Sequence, residues 1–209
     1  HMSQDPSLVE CFVQGRDLHT EVQQALNIPR IRAKAVNFGI AYGRTEFSIA
    51  EEFDISVEEA RSYIRMWFAR FPKAKEFMDM CAAAPVQGKS LVTPFGRQRR
   101  FGLVLQDNLR ELQNEARNFI IQSVASDLTL LSAMKIEKEL ANLGIMIINL
   151  VHDSILIEAP NNPDTIKKAM TLLGNTMRQV PVEELQTNVP FEVEFSIGTE
   201  WGNLEEVSI

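Results

Sequence analysis

The chain has 209 residues, 45% apolar and 23% charged, an ordinary globular usage that excludes a mostly disordered protein. No unbroken apolar run approaches the ~18 residues of a membrane span and no signal peptide opens the chain, so no membrane partner is expected. Two cysteines, Cys11 and Cys81, exclude a disulfide framework and a CxxC zinc site. The formal net charge of −7 argues mildly against nucleic-acid binding when taken whole. Its placement argues the other way. Residues 30–75 hold nine Lys/Arg against six Asp/Glu, and residues 86–117 hold six against three. Residues 135–209 reverse the balance, with five bases and twelve acids. A surface that meets phosphate concentrates its cations whatever the total, although a solvated mixed-charge surface also allows such segregation.

In chain order, Arg30 to Tyr42 reads as a helix that starts after Pro29 and stops at Gly43. A short helix fits Thr45 to Phe53. Ser56-Val57-Glu58-Glu59 is a capping-box pattern, and the helix it opens carries Ala60, Ile64, Trp67 and Phe68 before breaking near Pro72. A further helical piece runs to about Ala84. Ser90–Thr93 and Gln98–Leu103 read as strands about the turn Pro94-Phe95-Gly96. A long helix follows from Asp107 to Leu143, stopped by Gly144. Ile145–Val151 reads as a buried strand, His152-Asp153-Ser154 as a polar tip, and Ile155–Ala159 as the returning strand. A helix from Pro163 to Gln179 and a strand from Phe191 to Ile197 complete the pass. Helices come first and strands gather late, which makes the class α+β.

Within the first predicted helix, Arg30, Lys34, Phe38 and Tyr42 recur every four residues. Four residues turn a helix by about 400°, so the four side chains share one slowly drifting face. Two cations followed by two rings match a polyphosphate followed by a sugar and a base. Gly39 and Gly43 lie beside the rings, where a missing side chain admits another flat group. An amphipathic helix with snorkelling cations and core aromatics shows the same spacing.

The segment Arg30-x3-Lys34-x3-Phe38-Gly39-x2-Tyr42-Gly43 resembles motif B of family A DNA polymerases, the DNA polymerase I family. The resemblance implies that Arg30 and Lys34 hold the triphosphate of a dNTP, with Lys34 a candidate acid for the leaving pyrophosphate. It also implies that Phe38 packs on the nucleotide's sugar and base, and that Tyr42, followed by Gly43, lies at the templating base. Asp17-Leu18-His19 is similar to the family's Asp-x-His segment, whose His reaches the nucleotide phosphates.

A carboxylate at the tip of a tight apolar hairpin suits a metal ion, although His-Asp in a turn is also plain turn chemistry. Val151-His152-Asp153 is similar to motif C of the same family, which implies that Asp153 binds metal and that His152 lies near the primer terminus. The family's Glu after that Asp is Ser154 here. In the long helix, Asn118 and Gln122 match an Asn-x3-Gln pair that touches the DNA minor groove, where amides suit acceptors present at every base pair. Asn114 stands where the family has Arg, with Arg117 the nearest cation, pointing about 100° from Asn118. Arg97, with Arg99 and Arg100, resembles a Gly-Arg-Arg-Arg segment expected on the nucleic-acid backbone. Gly198-x2-Trp201-Gly202 resembles the family's closing segment.

The resemblance covers essentially the whole chain and implies a right-hand polymerase portion. Residues 1–19 are read as a palm edge, 20–106 as helical fingers and 107–209 as the C-terminal, antiparallel-sheet palm. The family's second essential Asp, in motif A, is expected ahead of His1, and His1 to Asp5 resembles the helix that follows it. Phosphoryl transfer by two Mg²⁺ ions ~4 Å apart needs more than one carboxylate. The expected partners are therefore primer–template DNA, dNTPs and a chain or segment bearing thumb and motif A. The expected location is the cytoplasm of a bacterium or viral host, with an organelle as the alternative. A non-catalytic primer–template or nucleotide-binding module and a purely structural helical scaffold are the competing readings.

Overall fold

Side chains that accept backbone N–H groups decide where most of the helices begin. The computed structural model describes residues 1–207. Asp5 caps α1 (Pro6–Val13), accepting from the Ser7 and Leu8 amides at 3.0 and 3.2 Å. Asp17 caps α2 (Leu18–Leu26) through the His19 amide. Helix α3 (Arg30–Ala41) follows Pro29 and has no side-chain cap. Thr45 caps α4 (Glu46–Phe53), and Ser56 caps α5 (Val57–Arg70) by accepting from the Glu59 amide at 3.1 Å. The capping-box pattern is thus half realised, because the Glu59 carboxylate accepts a hydrogen bond from the Tyr63 hydroxyl instead.

Helix α6 (Pro72–Val86) begins on the residue after Phe71, whose non-helical backbone separates it from α5. Its orphan amides are satisfied from far away in sequence. Asp5 Oδ2 accepts from the Lys73 and Ala74 amides at 2.9 and 3.3 Å. One fully buried carboxylate therefore closes the first turns of two helices.

Strands β1 (Leu91–Val92) and β2 (Gln98–Arg99) form a small antiparallel hairpin, and β2 stops well short of the Leu103 expected from sequence. The long helix α7 (Leu109–Asn142) passes a length-and-composition test for a membrane span. Its buried apolar residues, Ala116, Ile120, Val124, Leu128, Ala133, Ile136 and Leu140, recur along one stripe, the pattern of a core helix. Strands β3 (Met146–Val151) and β4 (Ser154–Glu158) pair antiparallel with a bulge at Ile148. Helix α8 (Pro163–Leu185), capped by Asn162, runs beyond the expected end at Gln179 and through Pro181. Val180 and Pro181 are buried there, which offsets the backbone hydrogen bond that the proline removes. Strand β5 (Phe195–Ile197) is shorter than expected and pairs with β6 (Glu205–Val207).

The class is α+β: a helical first half, and two-stranded antiparallel sheets that lie mostly late in the chain. Two compact units emerge, His1–Ser123 and a second from Val124 onward. The first is built on Val22, Leu26, Val36, Ile40, Tyr63, Trp67 and Phe71. The second packs Ile136, Leu140, Ile145, Ala169 and Leu173 beneath Ile147, Ile155 and Ile157 of the hairpin. Each fully buried apolar side chain contributes about 1.5–3 kcal/mol. The expectation of a wholly buried β3 does not hold: Met146 and Ile148 are exposed, because only one face of the two-stranded sheet meets that core.

Asp5→Ala is expected to cost about 2–4 kcal/mol, two lost caps of up to ~2 kcal/mol each. Asp5→Asn should recover roughly half, since an amide offers an oxygen to one helix and a hydrogen-bond donor to the other. Urea unfolding of the three proteins reads both values.

Candidate functional site

The core face of α3 carries Ala33, Val36, Asn37 and Ile40, all buried. The opposite face is turned to solvent. Arg30 and Lys34 are exposed, and so are the rings of Phe38 (49%) and Tyr42 (55%). Snorkelling cations over core aromatics are therefore not what the spacing encodes; both rings lie outside the core. Lys34, Phe38 and Tyr42 line an open cleft of about 730 Å³ with Ile31, Arg44 and Phe53. Lys34 has no ion-pair partner among the described residues.

Helix α2 brings His19 to this face. Its ring lies 5.7 Å from that of Phe38, tilted by 45°. Asp17 ties the two helices together: its carboxylate accepts from the His19 amide and the Thr20 hydroxyl, and Arg30 donates to its Oδ2 from Nε at 2.9 Å and Nη2 at 2.5 Å. Arg30, with Thr20 adding to it, holds the Asp17 carboxyl well below the usual carboxylate range, at about 2. On the core side, Asn37 Nδ2 lies 2.9 Å from His19 Nδ1, and Trp67 Nε1 donates to Asn37 Oδ1 at 2.7 Å. Sequence reasoning gave Asn37 and Trp67 no role at the site. A polar residue in the stripe Ala33-Val36-Asn37-Ile40 was the available signal, because an amide is not buried without partners.

The space beside the rings differs from the expectation. A Cβ on Gly39 would meet the Arg44 side chain at 3.3 Å and Ile49 at 3.8 Å, so the protein's own residues fill that gap. Gly43 has φ +72°, and a Cβ there would lie 2.7 Å from Asn114 Oδ1. Arg117 reaches the same spot. Its Nη1 donates to Asn114 Oδ1 at 2.8 Å, since residues three apart share a helix face. The Arg117 guanidinium therefore lies beside the Asn114 side chain and Gly43.

Arg97, Asn118 and Gln122 border one open groove of about 950 Å³, together with Arg99, Arg110 and Phe119. The Arg97 amide is held by the Thr93 hydroxyl at 3.1 Å, and Arg99 pairs with Glu115 at 2.5 Å. Three arginines with the Asn118 and Gln122 amides, set among Asp107, Glu111 and Glu115, give the groove donors that suit a phosphodiester backbone and base-edge acceptors.

In the second unit, His152 and Asp153 alone form the hairpin tip, because Ser154 is the first residue of β4 and pairs with Val151. His152 has φ +55°, a left-handed conformation that costs a non-glycine residue about 1 kcal/mol or more. Asp153 is exposed, and the Ser154 hydroxyl donates to the Val151 carbonyl at 2.8 Å. Among the described residues no group of three His, Cys, Asp or Glu side chains converges on a metal position. One exposed carboxylate does not match the donor set of a two-Mg²⁺ centre, and the described residues bring no second one to it.

Comparison with known proteins finds DNA polymerase family A. A family model described as DNA polymerase family A matches residues 1–203. The chain is 29% identical over 219 residues to a thermostable DNA polymerase I of Thermus aquaticus, covering 99% of this chain and 26% of that protein. It is 31% identical over 216 residues to DNA polymerase I of Helicobacter pylori, covering 98% and 24%. A solved structure, the POL domain of Pol1 from M. smegmatis in complex with DNA primer-template and dNTP, superimposes with a TM-score of 0.79. The two share 26% identity over 92% of this chain and 35% of that one. The chain thus spans about a quarter of the length of these relatives.

The Asp17–Arg30 tie gives a pH dependence of defined sign. A depressed carboxyl contributes stability that is fully present above the ordinary Asp value of 3.8 and is lost as the pH falls towards 2. A carboxyl chemical-shift titration should place the Asp17 midpoint near 2, and Arg30→Gln should move it up towards 3.8. Gly43→Ala combines a left-handed backbone with the approach to Asn114, and should lower stability by about 2 kcal/mol in urea unfolding.

Proposed function

The chain belongs to DNA polymerase family A, and we propose that it is the fingers and C-terminal palm portion of a DNA-directed DNA polymerase, acting inside the cell. Residues 1–19 form the palm edge, 20–106 the fingers and 107–209 the palm. The single observation that carries this reading is the solvent-facing row Arg30, Lys34, Phe38 and Tyr42 with His19 beside it. Those groups follow the order of a dNTP. Arg30, Lys34 and His19 meet the phosphates, Phe38 the sugar and base, and Tyr42 the templating position. Arg97, Asn118 and Gln122 bind primer–template along their groove, with His152 near the primer end.

In the reaction the primer 3′-hydroxyl loses its proton to solvent and its oxygen forms a bond to the α-phosphorus of the dNTP as the bond to pyrophosphate breaks. Lys34 is placed to neutralise the leaving pyrophosphate and to give it a proton. Arg30 must first exchange Asp17 for phosphate, a trade between two charge-assisted pairs. Two Mg²⁺ ions, when bound, supply the charge neutralisation that phosphoryl transfer needs. Asp153 would contribute one carboxylate to them, and a motif A segment would supply a second.

A second reading, a non-catalytic primer–template or nucleotide-binding module, draws on that solitary carboxylate. Primer extension by this chain with and without a thumb-and-motif-A polypeptide separates the two. Extension is expected only with the partner, and Asp153→Ala and Lys34→Ala should each lower it by about 100-fold or more. Equal extension with and without the partner, or activity indifferent to Asp153→Ala, would sink the proposal.

A further inference from the structure

The two hydrogen bonds of the buried Asn37 amide run in a forced order. Trp67 Nε1 has a proton to give and nothing to accept with, and it lies 2.7 Å from Asn37 Oδ1. The amide oxygen is therefore the acceptor, and the amide nitrogen faces His19 Nδ1 at 2.9 Å. An amide nitrogen only donates. His19 Nδ1 must then offer its lone pair, and in a neutral imidazole the proton resides on Nε2. Nε2 has no hydrogen-bond partner among the described residues, and the ring is only part-buried. Phe38 lies against the ring, and Asp17 holds the His19 backbone amide at 3.0 Å, so ring and backbone are both constrained.

We propose that Asn37 and Trp67 are positioning residues that hold His19 as its Nε2–H tautomer, so that the ring presents a donor to a phosphate oxygen of the nucleotide. The opposite tautomer would set a lone pair against that oxygen and bind it poorly. This inference rests on the reading of His19 as a phosphate-contacting residue. It extends the site inward by two buried side chains that touch no substrate.

The experiment is a ¹⁵N–¹H correlation across the imidazole nitrogens of the labelled 209-residue chain. It is run at about pH 8, where an ordinary histidine of pKa ~6.5 is neutral. His19→Gln assigns the signal. The wild-type ring should carry its proton on Nε2. In Asn37→Asp a carboxylate accepts from both neighbours, so the proton should move to Nδ1. In Trp67→Phe the amide is free to turn over, and a mixture of tautomers should result. A wild-type ring protonated on Nδ1, or an Nε2–H ring that persists in both variants, overturns the proposal.

Titrating the same samples with dATP reads the consequence. Asn37→Asp should weaken binding by about 10-fold or more, the size of one lost charge-assisted hydrogen bond. Trp67→Phe adds no charge and should weaken it by about two-fold, following the fraction of rings left in the binding tautomer. Unchanged affinity in a variant whose tautomer has switched overturns the link to phosphate. A wild-type chain that binds no dATP instead overturns the nucleotide-site reading, and the spectra alone then decide the tautomer.

Discussion

Trp67 is 5% exposed, and its one polar group is an N–H that must find an acceptor or forfeit about 1–3 kcal/mol. It finds the Asn37 amide oxygen. Because that oxygen sits on α3, the bond sets the rotation of the helix about its own axis. Asn37 inward means Arg30, Lys34, Phe38 and Tyr42 outward. A slip of one residue would swing every side chain by about 100° and bury charges. Val22, Leu26 and Tyr63 fill the remaining contact with that face and add the apolar burial that holds the helix down. The outward row is thus a consequence of an inward constraint.

The first unit repeats one device. Asp5 accepts four backbone amides from two helices, and Asp17 joins the start of α2 to Arg30 of α3. Helix N-termini offer several unpaired N–H groups in a small volume, and a short carboxylate can satisfy more than one of them. These two acidic residues, both ahead of the basic stretches, therefore act as ties between elements. Net charge hides this use, just as it hides the placement of the cations. The second unit is simpler in its polar structure: a bulged hairpin lies on α8 and the end of α7, and its tip exposes one carboxylate on a left-handed turn.

Much of the fold was legible from local pattern. The limits of α3, α4 and α5, the break at Pro72 and the β3–β4 pair follow from caps, prolines and periodicity acting over a few residues. Helices α1 and α2, about as short as α4, carry comparable start signals in Asp5-Pro6 and Asp17, which sequence reasoning passed over; β6 has three residues, two of them acidic, too few for an alternating pattern. The four-residue row on α3 was likewise legible, since a helix places such residues together whatever surrounds it. The groove gathering Arg97 with Asn118 and Gln122 was not, because β2 and α7 meet only through tertiary packing.

By itself the sequence determined the family, the order of its motifs and the chemistry of the α3 row, all carried by residue identity at short spacing. The tertiary structure alone decided what surrounds that chemistry. It decided that Arg44 and Ile49 occupy the gap at Gly39, that Arg117 serves Asn114, and that Asp17 holds Arg30. It also decided the hydrogen-bond direction that reaches His19, since Asn37 and Trp67 stand thirty residues apart. The reason is physical. A hydrogen bond in the core depends on where two helices cross, and no local rule of spacing carries that information.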